Sequence, residues 1–195
     1  TIYLSKEIKI KDFKKIIISW NIVTPVDSYV DIEARVLVNN NLKEKIWSKW
    51  LSWGRWGTNI KRASNSSNCT EAKINVDTLT INEGYIGEAI QIKISSYYDD
   101  KESKADLQLV VITYCGEKIN NKNGKEKLIN KLIETPCISQ MKREAEIANR
   151  ICSPTSMTML LNRLGENLLV EDVAYKCFDY KYNEFGNWSY NVAYA

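Results

Sequence analysis

From Val30 to Val38 every second residue is apolar: Val30, Ile32, Ala34, Val36 and Val38 alternate with neighbours that are polar except for Leu37. A period of two suits an extended strand with one buried face and suits nothing helical. Ile90, Ile92 and Ile94 repeat the pattern, as do Leu107, Leu109 and Val111, and the run Ile16, Ile17, Ile18 to Trp20 is rich in β-branched residues. Turn signals fall between these runs, at Thr24-Pro25-Val26-Asp27, Asn39-Asn40-Asn41, Asn82-Glu83-Gly84 and Asp99-Asp100. Short strands at regular spacing, with no helical stretch among them, predict an antiparallel β-sandwich over residues 1–116. A bulge or turn is expected near Gly54, because Trp47, Trp50, Trp53 and Trp56 recur every third residue and would otherwise be split between the two faces.

The period then changes. Residues 117–128 are polar and charged, the composition of a linker. In the remainder, residues 129–195, Met157, Leu160, Leu161 and Leu164 sit at i, i+3, i+4 and i+7 and predict one apolar helical face. Ser153 is expected to cap that helix, with Pro154 in its first turn and Gly165 at its end. A second short helix is expected from Val170 to Lys176. The chain therefore reads as a two-domain α+β protein.

Several function classes drop out. The 27 Lys and Arg against 24 Asp and Glu leave a net charge of +3 spread along the chain, so no nucleic-acid partner is expected. No segment is apolar and long enough for a membrane span. The 195 residues contain no histidine, so they hold no complete Ser-His-Asp or Cys-His site, and neither a metal nor another cofactor is expected. The five cysteines, Cys69, Cys115, Cys137, Cys152 and Cys177, form no C-x-x-C pair. The chain starts at Thr1 without a Met, which fits the removal of an export signal or of another upstream segment.

Chemistry points to Cys152. It lies at the start of the predicted helix, where free N–H groups and the helix dipole favour a thiolate, the nucleophilic form. The same N–H groups can donate to an oxyanion growing on a substrate carbonyl. Twelve positions upstream of Cys152, Gln140 offers a side-chain amide that can act as a second donor. The plain alternative for both is a structural thiol and a surface amide.

The runs Pro136 to Gln140, Cys152-Ser153-Pro154-Thr155-Ser156 and Gly186-Asn187-Trp188 through Ala195 together resemble the bacteriocin-processing-like group of papain-fold cysteine peptidases. The resemblance implies that Cys152 is the nucleophile, that Gln140 completes the oxyanion hole, and that Asn187 and Trp188 line the approach for a peptide or protein substrate. It also implies a His and an Asp or Asn after Ala195. These residues by themselves are then expected to hydrolyse little, and their helical half to expose apolar surface, mispack or pair with another molecule. Ser19-Trp20-Asn21 and the run Ala89 to Lys93 resemble the β-sandwich often fused ahead of such peptidases. Together with the start at Thr1, the resemblance gives the expectation of a secreted or cell-surface bacterial protein.

The tryptophan strip has two readings. Trp47, Trp50, Trp53 and Trp56 either form a ledge for sugar rings of a cell-wall polymer, or fill the sandwich core and one sheet edge. In the first, the sandwich is a binding module and the peptidase-like half a remnant.

Overall fold

In a computed structural model, which describes residues 1–40, 42, 44–116 and 130–195, the alternating run of residues 30–38 becomes the middle of one sheet of a sandwich. The expected linker lies outside the described residues, as does Asn41 of one expected turn. The strands are β1 (Ile2–Leu4), β2 (Ile8–Phe13), β3 (Lys15–Val23), β4 (Tyr29–Asn40), β5 (Lys45–Trp47), β6 (Leu51–Trp56), β7 (Ala63–Ser64), β8 (Ser67–Asn68), β9 (Ala72–Asn75), β10 (Thr78–Ile81), β11 (Tyr85–Tyr97) and β12 (Asp106–Cys115). One sheet runs β1-β11-β4-β6-β7, with β2 also on β11 and β5 also on β4. The other runs β12-β3-β10-β9-β8, and the pairings in both are antiparallel. Between them Val30, Ile32, Ala34, Val36, Val38, Ile90, Ile92 and Ile94 meet Ile16, Ile18 and Trp20, all buried.

Two bulges decide which side chains reach that core. In β6 the register with β4 slips by one residue, so that Ile32 faces Gly54, Glu33 faces Ser52, and Trp53 is the extra residue. Trp53 and Trp56 therefore both point inward although they are three apart. Gly54 makes the slip possible. Its φ is +99°, and a Cβ there would lie 2.1 Å from the Ala63 carbonyl oxygen. In β12 the slip falls between Leu107 and Leu109. Leu107 packs inward, but the extra residue reverses the phase, so Val110 and Ile112 follow it into the core. Leu109 and Val111, expected inward from simple alternation, are instead 54% and 43% exposed.

The last third is helical: two 3-10 turns, Gln140–Lys142 and Ala148–Arg150, then α1 (Cys152–Arg163), α2 (Val170–Cys177) and α3 (Trp188–Tyr194). Helix α1 ends as expected. Gly165, at φ +109°, donates its N–H to the Asn162 carbonyl at 3.2 Å while the Glu166 N–H reaches Leu161 at 3.2 Å, a Schellman closure. Its start differs from expectation. Cys152 is the first helical residue and Ile151 flanks it without a side-chain cap, so Ser153 lies inside the first turn and caps nothing.

The buried face of α1 also differs. It consists of Pro154, Thr155 and Thr158, whereas Leu160 and Leu164 are 54% and 80% exposed. Thr158 tolerates burial because its hydroxyl donates to the Pro154 carbonyl at 2.8 Å, one turn back. A small core of Ile147, Ile151, Val170, Ala174 and Phe185 holds this part together.

Helix α3 does not pack there alone. Its Tyr190 enters the sandwich core, with its ring 6.2 Å from Trp20 and 5.3 Å from Trp56. The phenol donates to the Arg55 carbonyl at 2.9 Å, and the neighbouring Ser189 hydroxyl donates to the Ile18 carbonyl at 2.7 Å. The helical half thus shows the apolar exposure expected of it on α1, but α3 finds its partner in the sandwich. Replacing this side chain opens a cavity shared by both halves. Tyr190→Ala is expected to cost about 3–5 kcal/mol, and Tyr190→Phe about 1 kcal/mol for the lost hydrogen bond. Urea unfolding followed by tryptophan fluorescence measures both, and a smaller loss for Ala than for Phe would exclude the packing role.

Candidate active site

The segment before α1 runs alongside it in the opposite direction. Arg163 at the helix end donates to the Glu134 carbonyl at 2.8 Å, and four residues later the Ile138 N–H meets the Met159 sulfur at 3.3 Å. The chain is thereby led toward the helix start, where Gln140 opens the first 3-10 turn. The Gln140 Nε2 donates to the Ala148 carbonyl at 2.7 Å, in the second turn, which runs directly into Cys152. Gln140 is thereby tied to the turn that leads into Cys152. One Nε2 hydrogen is used in fixing the amide and the other remains for an acceptor.

Cys152 is exposed. Its own N–H and that of Ser153 lie in the first turn, which a helix leaves without intrahelical partners. Pro154 has no N–H to leave unsatisfied, and the Thr155 N–H is already bonded to the Ile151 carbonyl at 2.9 Å. The Ser156 hydroxyl donates to the Cys152 carbonyl at 2.9 Å, fixing the turn that carries the thiol. An exposed thiol at a helix start has the chemistry of a nucleophile, and the unpaired N–H groups of that turn have the chemistry of oxyanion donors.

Asn187 and Trp188 take different roles from those expected. Asn187 is buried. Its Oδ1 accepts the Tyr190 N–H at 3.1 Å, capping α3, and its Nδ2 donates to Asp179 at 3.4 Å. A side chain so enclosed and engaged is a structural cap and not a substrate contact. Trp188 is exposed but lies against the sandwich, where its indole and Lys15, Ile17, Thr78 and Tyr114 line a cavity of about 280 Å³. The Trp188 backbone N–H donates to the Asp77 carboxylate at 3.4 Å.

Residues 2–113 match the family model described as the peptidase C39 N-terminal domain, and residues 132–195 match that of the peptidase C39-like family. The chain belongs to the C39-like, papain-fold peptidases. Comparison with curated proteins and with solved structures returns no match. In this C39-like peptidase chain the sandwich is the family's N-terminal domain, and Cys152 and Gln140 fall in the peptidase-like segment.

The tryptophan strip of the N-terminal domain divides. Trp53 and Trp56 are buried, and the Trp53 indole N–H donates to the Asp77 carbonyl at 2.8 Å. The β6 bulge places both in the core, so neither belongs to a surface ledge. Trp47 and Trp50 remain half-buried and flank Arg35, whose guanidinium carbon lies 4.7 Å from one ring and 5.0 Å from the other. Lys93 also approaches Trp50, at 4.6 Å.

Sequence reasoning missed the polar seam between the halves. Asp179 is buried and accepts from the backbone N–H groups of Ser64 at 3.4 Å and Lys181 at 3.0 Å, and from the Ser64 hydroxyl. Arg62, also buried, donates across the seam to the Tyr175 carbonyl at 2.9 Å. No motif surrounds either residue, and only their partners, over a hundred positions away, give them meaning.

The thiols of the family member separate by burial. Cys115, Cys137 and Cys152 are exposed, while Cys177 is buried and its ionisation is pushed up to about 12 by loss of solvent, a shift that Arg62 only partly opposes. Iodoacetamide at pH 8 is expected to modify Cys152 in the native protein and to leave Cys177 untouched until denaturant is added. Peptide mass mapping reads the outcome, and native modification of Cys177 would show that the seam opens.

Proposed function

We propose that this chain carries the nucleophile and oxyanion donors of a cysteine peptidase acting on peptide or protein substrates. The observation that carries the reading is the placement of Cys152, exposed as the first residue of α1, with Gln140 held to the turn leading into it. In the reaction the Cys152 sulfur attacks the scissile carbonyl carbon. The resulting oxyanion accepts from the Cys152 N–H and the free Gln140 Nε2 hydrogen. Collapse breaks the C–N bond, leaving an acyl-thioester on sulfur and an amine that takes up a proton; water then releases the acid. An imidazole normally moves these protons, and the 195 residues hold no histidine. On their own they are therefore proposed to turn over peptides little or not at all.

An activated ester removes the need to protonate the leaving group and so tests the half of the site that is present. A p-nitrophenyl ester of an acylated amino acid is expected to acylate Cys152 faster than Cys115 or Cys137, with added imidazole speeding the step. Gln140→Ala is expected to slow acylation of Cys152 by about 10²-fold, the cost of one oxyanion donor. Peptide mass mapping after a short exposure measures both. Equal labelling of the three exposed thiols would falsify the assignment of Cys152, and efficient amide hydrolysis by these residues, lost in Cys152→Ala, would overturn the proposed inactivity.

A second reading is favoured by Trp47 and Trp50, which stand with Arg35 on the outer face of β4 and β5. There the N-terminal domain would act at or beyond the cell surface by binding a wall polymer, with Trp53 and Trp56 outside the contact. Trp47→Ala together with Trp50→Ala is then expected to abolish sedimentation of the protein with purified cell-wall glycan. Unchanged sedimentation, or none by the parent protein, sinks that reading.

A further inference from the structure

A cavity of about 620 Å³ lies on the seam, between loop 58–62 of the sandwich and helices α2 and α3. Arg62 lines it. The Arg62 Nη1 donates to the carbonyls of Gly57 at 3.2 Å and Thr58 at 3.1 Å, and Nη2 donates to Tyr175. The Nε–H has no partner although it is buried. Among the described residues Arg62 makes no ion pair. Its hydrogen-bond partners are all neutral carbonyls, although the buried Asp179 carboxylate is near enough to act on its charge. The orphaned N–H is a costly feature that an anion in the cavity would relieve. Burial accordingly lowers its hold on the proton.

The lining is cationic on balance, although the Glu144 carboxylate, which accepts from the Tyr175 hydroxyl at 3.3 Å, stands beside it. Lys61 and Lys176 are exposed and, among the described residues, neither has an ion pair. One carboxylate, Asp172, joins three cations in the lining. Tyr175 and Tyr180, each about half exposed, line the same space.

We propose that this cleft binds an acidic peptide segment. A carboxylate of the segment meets Arg62 and the rim lysines, its apolar side chains lie on Tyr175 and Tyr180, and a backbone N–H reaches Asp172. A polyphosphate would match the cations but would meet repulsion at Asp172 and leave the rings without contacts. The proposal draws on the peptidase reading only in naming a peptide as the occupant. The site is built from the seam and uses no atom of Cys152 or Gln140.

Binding is measured by calorimetry on the Cys152→Ala protein, which cannot turn over. The probes are an acetylated hexapeptide of alternating Glu and Leu, its counterpart with Gln for Glu, and inorganic phosphate. The Glu peptide is expected to bind at least tenfold more tightly than the Gln peptide, and K61E/K176E to weaken it at least tenfold. The same reversal on β2, K9E/K11E, is expected to leave affinity within twofold. Because Arg62 substitutions threaten the seam itself, its role is read from the Arg62 Nε–H resonance in ¹H–¹⁵N spectra, which is expected to shift on saturation with peptide.

No binding of the Glu peptide at millimolar concentration, equal loss in both double variants, an unmoved Arg62 resonance, or binding of phosphate without the peptide each overturns the proposal. Failure here leaves ester acylation of Cys152 intact, and failure of that acylation leaves this binding intact, so the two readings fall separately.

Discussion

The wedge of Tyr190 between Trp20 and Trp56 is the contact that makes two sequence segments into one structure. An antiparallel sandwich with helices beside it would ordinarily close its own core and touch the helices at the surface. Here a residue from the last helix completes the core of the first domain, and its phenol satisfies a β6 carbonyl. The side chain is held in place from both directions: Asn187 caps its helix, and the Asn191 amide bonds back to Phe185 and Asn187 at 2.9 and 2.7 Å. Apolar burial supplies most of the energy, and the directed hydrogen bonds fix the position.

The polar seam follows from that wedge. Once α3 lies across β3, the loop after α2 is carried against β7, where Asp179 fills an otherwise unsatisfied set of N–H groups. Arg62 does the converse for the Tyr175 carbonyl near the end of α2 and for those of Gly57 and Thr58. Removing either partner would strand buried polar groups, a cost larger than the bonds themselves contribute. The exposed site at Cys152 is therefore mounted on helices whose far side is held by the sandwich.

Much of the sandwich was legible because alternation is local. Val30 to Val38 and Ile90 to Ile94 went where a period of two sends them. What alternation could not foresee was the bulge at Gln108, which shifts Leu109 and Val111 to solvent without any glycine to announce it. Gly54 did announce the bulge of β6, and the spacing of the tryptophans required it. On α1 the same kind of reading misled. The apolar stripe Met157, Leu160, Leu161 and Leu164 was visible, but Thr158 hides its hydroxyl inside the helix and takes the buried side.

The tie of Gln140 to the turn before α1 was legible for a different reason. Cys152 and Gln140 are twelve residues apart, joined by two short turns, and a segment that short leaves few ways to place them apart once Ile138 is pinned to Met159. Asn187 shows the opposite limit. An Asn before a short helix is equally a candidate contact and a candidate cap, and only the depth of Tyr190, three residues on, decides between them. The deeper that ring goes into the sandwich, the less of α3 remains for substrate. The family segment at residues 186–195 therefore serves the joint between the halves.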